Sequence, residues 1–192
     1  MIKTDNFQKV EVTSSEELRD WLIKNHGQEQ SIWLVTFKKH ISDKYVSTSE
    51  ILDEILCFGW IDGIRRKLDV DRTMQLIGPR RKQHWAKSYK ERAKRLIEER
   101  KMEEAGFKSI EASKKNGLWN FMDDVDALIK PEDLKKELDK FPPAHENFDL
   151  LPDSVKRFTL RWIKLAKTPG TRAKRINKTA TLAQANKRIP GV

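Results

Sequence analysis

The chain has 192 residues, a formal net charge of +10, six tryptophans and a single cysteine. This length accommodates one folded domain, or one domain with a small appendage, and it allows a substantial apolar core. A lone cysteine excludes an internal disulfide and a cysteine-based zinc site, and no apolar run approaches the length of a transmembrane helix. Because the amino terminus also lacks the apolar stretch of a signal peptide, we expect a cytoplasmic protein.

The first third of the chain predicts a helix, a strand and a second helix. Ser14 with Glu17, and Ser47 with Glu50, have the spacing of a capping box, in which the two residues bond the first turn of a helix reciprocally. Between the two boxes, residues 32–38 are rich in β-branched and aromatic side chains. This composition predicts a strand, and its apolar character on both faces predicts a central position in a sheet.

A hairpin and a third helix are predicted next. Residues 61–68 and 73–78 are short β-type runs around a polar turn, and we expect them to form an antiparallel hairpin that pairs with the earlier strand. A narrow apolar stripe at helical spacing follows Gly78-Pro79, formed by Trp85, Tyr89, Ala93, Leu96 and Ile97. That stripe predicts a helix that packs on the sheet and turns its lysines outward.

The rest of the chain predicts helices without strands. Residues 123–126 are an acidic loop that lacks the glycine and the spaced oxygen ligands of a calcium loop, so we interpret it as a solvated linker. Residues 131–187 predict helices separated by prolines, and residues 164–192 contain no acidic residue. The predicted fold class is therefore α+β: a small antiparallel sheet packed by helices in residues 1–125, followed by a helical, basic C-terminal region in residues 130–192 that packs on this body.

The run Leu56-Cys57-Phe58-Gly59-Trp60-Ile61-Asp62-Gly63 lies where the second helix meets the hairpin. Gly59 suits the left-handed conformation that ends many helices. Asp62 lies in an apolar neighbourhood, where an unpaired carboxylate costs several kcal/mol. We therefore predict that Asp62 is substantially buried and within hydrogen-bonding or ion-pair reach of at least one arginine or backbone donor. Two roles stay open for it: a turn cap or arginine anchor, and a functional carboxylate.

Four motifs together resemble one known family. They are Phe37-Lys38-Lys39, the Leu56–Gly63 run, Pro79-Arg80-Arg81 with Trp85 close behind, and the basic run from Ala166 to Ile176. From about Trp33 to Ala183 the chain resembles the YdeI/OmpD-associated family, also called bacteriocin-protection proteins. One departure is Gln83-His84-Trp85-Ala86, where the family pattern has serines around the tryptophan. The resemblance implies a bacterial, cytosolic-type protein with a mixed α/β body and a helical C-terminal part, and it implies no particular reaction.

Charged and aromatic residues are expected to converge where the hairpin meets the second helix. Arginine forks beside aromatic faces suit carboxylate, phosphate or nucleobase groups. The candidate ligand-binding residues are Lys38, Lys39, Trp60, Asp62, Arg80, Arg81 and Trp85. Two interpretations of this set remain open: a ligand site, and a structural cluster of ion pairs and stacked rings that fixes the hairpin on the helix.

A second candidate surface is basic. Arg172, Lys174, Arg175 and Lys178 lie on the predicted last helix. With the basic block at residues 79–101, they are candidates for weak, charge-driven binding of nucleic acid, or for contact with an acidic protein surface. The equally physical alternative is a solvated face. The four histidines lack ligand spacing and no glycine-rich phosphate loop occurs, so we expect neither a metal nor a cofactor.

These observations favour a non-enzymatic binding protein that presents basic and aromatic residues to an anionic partner. No recognisable set of nucleophile, base and orienting residue occurs in the sequence. With the family resemblance, we expect a link to envelope stress or antimicrobial-peptide resistance. The alternative is an enzyme that acts on a small anionic substrate, with Asp62 as acid or base and Arg80 or Arg81 holding the anion.

Overall fold

The computed structural model describes residues 6–187, which form two compact units. The first unit is Met1–Asn120 and the second is Phe121–Val192. The outer ends of the two predicted regions, residues 1–5 and 188–192, lie outside the described residues. No helix among the described residues combines the length and the apolar character needed to cross a bilayer.

The first unit alternates strands and helices before it ends in two helices. In chain order its elements are β1 (Lys9–Glu11), α1 (Ser15–Asn25), β2 (Ile32–Phe37), a 3-10 turn (Ser42–Lys44), α2 (Thr48–Cys57), β3 (Trp60–Lys67), β4 (Arg72–Pro79), α3 (Lys87–Glu98) and α4 (Glu104–Lys115). The predicted α+β class is confirmed.

The four strands form one sheet in the order β1-β2-β4-β3. The three predicted strands are present and pair antiparallel, with β4 between β2 and β3. β1 is an addition that the sequence did not predict, and it pairs parallel to β2 through Lys9 and Trp33, so the sheet is mixed. A three-residue strand with charged residues at both ends has too few apolar positions to show an alternating pattern.

Both predicted capping boxes lie at the start of a helix, and the second, at α2, forms the full reciprocal box. The Ser14 hydroxyl accepts a bond from the Glu17 amide, and the Glu17 carboxylate accepts one from the Thr13 amide at 2.7 Å. At α2, Ser47 and Glu50 bond each other reciprocally, each side chain accepting from the other's backbone N–H. These bonds satisfy amide groups that have no partner within the helix.

The core of the first unit lies on one face of the sheet. Alternate residues of β2 point to opposite faces. Ile32 and Leu34 join the apolar cluster that contains the buried side chains of α1, α2, α3 and α4. Trp33 and Val35 are buried outside that cluster, and the Arg66 guanidinium carbon lies 5.2 Å from the centre of the Trp33 ring. The sheet is therefore apolar on both faces at β2, as expected for an inner strand.

β3 is an edge strand with a bulge. Its pairing register with β4 shifts between Asp62 and Arg65, and residues 63–67 are exposed. Before the bulge, Asp62 pairs with Ile77, and after it Arg65 pairs with Gln75. The bulge keeps Asp62 and Arg65 on the same face of the sheet, because the extra residue between them restores the alternation.

The second unit is helical in all its regular elements. These are α5 (Asp123–Asp126), α6 (Glu132–Asp139), α7 (Ala144–Asp149), α8 (Asp153–Lys164) and α9 (Pro169–Gln184). Its core contains Leu134, Leu138, Phe148, Ile163 and Ile176. The predicted helical character of residues 131–187 is confirmed. The acidic run at residues 123–126, predicted as a linker, instead forms the short helix α5.

Candidate functional site

Two motifs that are distant in sequence meet at the start of β3. α2 ends at Cys57, and Gly59 turns the chain with a φ of +71°, a conformation that other residues rarely adopt. Trp60 then pairs with Pro79, and the Arg80 amide donates to the Gly59 carbonyl at 3.0 Å. The hairpin therefore brings Asp62 and Arg80 to the same end of the sheet.

Trp60 has a structural position. Its side chain is 1% exposed, and its indole N–H donates to the His26 carbonyl at 2.9 Å. Its ring meets Trp21 edge to face, with the ring centres 5.6 Å apart. Trp60 therefore joins α1 to β3 and offers no free surface to a ligand.

Lys38 and Arg81 bond backbone carbonyls away from Asp62. The Lys38 ammonium donates to the Asp69 and Val70 carbonyls at 2.7 and 2.6 Å, so it closes the turn between β3 and β4. The Arg81 guanidinium donates to the Glu29 carbonyl at 2.8 Å, and Lys39 is exposed beyond the end of β2. Of the seven predicted ligand-binding residues, only Asp62, Arg80 and Trp85 lie in one cluster.

Arg80 is the unusual member of that cluster. Its side chain is only 9% exposed, and its guanidinium carbon lies 4.1 Å from the centre of the Trp85 ring and 5.1 Å from that of Tyr89. Nη1 donates to the His84 carbonyl across a long 3.4 Å. Nε and Nη2 have no hydrogen-bond partner among residues 6–187. Burial lowers the pKa of Arg80 to about 10, although the acidic groups of Tyr89 and Asp62 act in the opposite direction.

Asp62 is half-buried and is held by side chains that the sequence did not point to. One carboxylate oxygen accepts a short bond from the Tyr89 hydroxyl, and the other accepts from the Gln75 amide at 3.1 Å. Gln75 in turn accepts from Arg65 at 2.6 Å. Burial raises the pKa of the Tyr89 hydroxyl, and the bond to Asp62 raises it further. The phenol is therefore the proton donor of the pair.

Among residues 6–187, the donors that bond Asp62 directly are Tyr89 and Gln75 rather than an arginine or a backbone amide, and Asp62 acts on Arg80 through charge without a direct bond. Arg65 is occupied by Gln75 and by the Thr48 hydroxyl, at 2.6 and 3.1 Å, and it reaches Asp62 only through Gln75. Asp62 is also less buried than predicted, because the bulge opens the strand beside it.

Tyr89 and Gln75 are the site residues that sequence reasoning missed. The sequence pattern predicts Tyr89 on the core-facing stripe of α3. That pattern indicates no partner for its hydroxyl. Gln75 points to the same face as Ile77, because strand residues alternate. The sequence does contain a signal for Gln75: it is a polar residue at a position of the inner strand where the alternation predicts an apolar one. A buried amide there needs hydrogen-bond partners.

The basic residues of α9 do not form one free cationic surface. Arg172 makes two bonds to the Asp133 carboxylate at 2.6 and 2.8 Å, and Arg175 donates to the Trp162 carbonyl and lies 5.0 Å from that ring. Lys174 and Lys178 are exposed at i, i+4 spacing on the helix. Two of the four predicted polyanion-binding residues are thus used in packing the second unit.

Within the described part of the chain, no group of three or more histidine, cysteine or acidic side chains is arranged to hold a metal ion. His145 bonds Asp139 and Lys130 at 2.6 and 2.7 Å, and His40 bonds Asp71 at 2.9 Å. These two histidines therefore have partners on the surface of their own units.

Cys57 is expected to react slowly in the folded protein. Burial raises the pKa of its thiol to about 11, and the nearby Glu54 carboxylate acts in the same direction. At pH 8 we expect labelling by a soluble maleimide to be roughly a hundredfold slower than in urea, where the thiol pKa is near 8.5. Since the folded-state pKa is the higher one, this group stabilises the fold below about pH 8.5, and its contribution declines as the pH rises towards 11. Equal labelling rates with and without urea would contradict the burial of this thiol.

Two family models match the chain over separate ranges. Residues 127–186 match the model described as Bacteriocin-protection, YdeI or OmpD-Associated. The resemblance predicted from the sequence is confirmed for that range, which includes α6 to α9. Residues 10–109 match a model described as a domain of unknown function (DUF8412), and this range contains Asp62, Arg80 and Trp85.

No curated protein and no solved structure is significantly similar to the chain. The match at residues 10–109 covers slightly more than half of the sequence and the whole sheet except the first residue of β1. The chain therefore belongs to the family of the domain of unknown function DUF8412, and its C-terminal region carries the match to the bacteriocin-protection, YdeI or OmpD-associated model.

Proposed function

We propose that the protein is a binding protein whose first unit takes up an anionic group at Arg80. The observation that carries this proposal is the buried guanidinium with two unpartnered nitrogens, Nε and Nη2. These two atoms form one edge of the guanidinium, and that edge matches the two oxygens of a carboxylate or phosphate.

The energetics support a missing partner. A buried donor without a partner loses its hydration and costs about 1–3 kcal/mol, and more when it carries charge. Stacking on Trp85 and Tyr89 offsets part of this cost through cation–π attraction. This stacking leaves the N–H groups without hydrogen bonds, because a ring face attracts the positive charge but offers no directed acceptor atom. An anion at this edge would satisfy both donors at once.

Access to Arg80 depends on the segment after β4. Trp85 and the His84 carbonyl lie against the guanidinium, whereas Arg81, Lys82 and Gln83 are exposed. An incoming anion would therefore approach past the exposed residues 81–83, while Trp85 stays packed on the guanidinium. The exposed cations beside it would attract anions to the entrance.

The biological setting of this binding is also a proposal. The family that residues 127–186 match is described by bacteriocin protection and by an association with OmpD. We propose that the protein acts in the cytoplasm, without catalysing a reaction. Through its anionic partner it would contribute to the response to envelope stress or to antimicrobial-peptide resistance.

Asp62 is a better candidate for holding a bound ligand in position than for acting as a catalytic acid or base. Each of its oxygens already accepts a hydrogen bond, from Tyr89 and from Gln75. These bonds hold the carboxylate in place. The enzyme alternative needs Asp62 to contact a reacting atom of a substrate, in addition to the two donors that it already accepts from.

Anion binding is tested directly at the Arg80 side chain. We expect the side-chain Nε–H resonance of Arg80 to shift in NMR spectra when sodium acetate or sodium phosphate is added. Arg80→Gln, followed through the Trp85 indole N–H resonance because the variant lacks the Arg80 signal, should weaken binding by about tenfold or more, since bonds to a charged donor contribute roughly 1.5–3 kcal/mol.

Arg81→Gln is the matched control, since Arg81 is the neighbouring exposed arginine and bonds the Glu29 carbonyl. It should change the affinity less than twofold. If neither anion shifts the Arg80 resonance at concentrations up to a few hundred millimolar, at constant ionic strength, the proposal fails.

A further inference from the structure

We propose that the ligand of Arg80 is a small amino acid, whose carboxylate bonds Arg80 and whose ammonium bonds Asp62. This inference rests on the proposed function and names the chemical class of the ligand. Its basis is that one cluster contains a cation with two unpartnered nitrogens and an anion with remaining acceptor capacity, both beside Tyr89.

Tyr89 fixes the relation between the two charged groups. Its ring centre lies 5.1 Å from the Arg80 guanidinium carbon, and its hydroxyl donates to Asp62. The cation and the carboxylate therefore lie near the same phenol ring. They make no direct ion pair within 4.0 Å, so each keeps a charge that a molecule with a charge at each end could meet.

Asp62 can accept more than it does. A carboxylate offers about four lone-pair sites, and the Tyr89 and Gln75 bonds use one site on each oxygen. Asp62 is half-buried rather than enclosed, whereas Gln75 is 6% exposed. A ligand donor therefore has a free position on Asp62.

Charge complementarity favours an amino acid over a simple anion as the ligand. A bare carboxylate or phosphate at Arg80 would bring a second negative charge near Asp62 in a poorly hydrated place, where like charges repel strongly. An ammonium on the ligand converts that repulsion into attraction. The pair of Asp62 and Arg80 is neutral as a whole, and it is complementary to a zwitterion.

Titrations of the unchanged protein with glycine, acetate and N-acetylglycine distinguish an amino-acid ligand from a simple anion. All three have a carboxylate, and only glycine has an adjacent ammonium. With the Arg80 Nε–H resonance as readout, we expect glycine to bind about tenfold more tightly than acetate or N-acetylglycine. Equal affinities for glycine and acetate, with the resonance shifting for both, would overturn the amino-acid inference and leave anion binding intact. No shift with any of the three would overturn both.

Asp62→Asn tests the role of the carboxylate. The variant keeps the size of the side chain and removes its charge, so glycine should lose its advantage and bind within about twofold of acetate. Gln75→Glu is a second variant that adds a negative charge beside Asp62, and it should weaken acetate more than glycine. A glycine preference that survives Asp62→Asn in a protein folded by circular dichroism would contradict the proposed ammonium contact.

Discussion

Gly106→Ala is expected to lower the free energy of unfolding by roughly 2 kcal/mol, measured by urea titration with tryptophan fluorescence. A methyl group at this position of α4 would overlap the Cys57 carbonyl oxygen and the Met102 sulfur. The Met102 side chain can turn away. The Cys57 carbonyl belongs to the end of α2 and also accepts from the Glu103 amide at 3.1 Å, so it cannot move without loss of that bond.

The sign of this effect is informative because helix propensity acts against it. Alanine is better than glycine in a helix by about 1 kcal/mol, so an uncrowded site would gain stability. Gly27→Ala is the control in the same unit, since nothing lies within 4 Å of its added methyl group. We expect it to change stability by less than about 0.5 kcal/mol. A Gly106→Ala protein as stable as the wild type would mean that α4 does not rest on the end of α2.

Trp85→Ala is expected to have the largest effect on stability, a loss of about 3–5 kcal/mol. The Trp85 side chain is fully buried, with its ring centre 4.8 Å from that of Trp119 and 4.1 Å from the Arg80 guanidinium carbon. Its removal leaves a cavity and exposes one face of a cation that has few other partners. Urea unfolding followed by far-ultraviolet circular dichroism measures the loss.

Trp85→Phe separates packing from hydrogen bonding at the same position. The Trp85 indole N–H has no partner among the described residues, so phenylalanine removes no hydrogen bond and keeps an aromatic face for Arg80. We expect a cost near 1–2 kcal/mol, well below that of alanine. If phenylalanine and alanine are equally destabilising, the indole N–H has a partner that stabilises the fold.

The local elements could be predicted because their signals are local. Ser47 and Glu50 are three residues apart, and both ends of the capping box are in the sequence. The hairpin could be predicted in the same way from two β-type runs around a polar turn. β1 could not, because its three residues gain strand structure only by pairing with β2. The membership of β1 in the sheet is a tertiary property.

The charged residues of the candidate site could be predicted from the sequence, but the hydrogen bonds that they make could not. Asp62 and Arg80 were both identified from the sequence. Their actual neighbours depend on the pairing register of β3 with β4 and on where α3 crosses the sheet, which place Gln75 and Tyr89 beside Asp62. The partners of Lys38 could not be predicted for a different reason, since its acceptors are backbone carbonyls and every residue of a turn offers one.

The exposed end of β3 is an edge at which a strand from another molecule could join the sheet. An edge strand presents unpaired N–H and C=O groups that can recruit a strand from another molecule. Here the bulge after Asp62 interrupts the regular spacing of these groups, and Arg65, Arg66 and Lys67 follow it in succession. A second copy that docked on this edge in antiparallel register would bring its own three cations against them. Electrostatic repulsion between the two sets of cations would oppose this pairing, and it would weaken as the salt concentration rises.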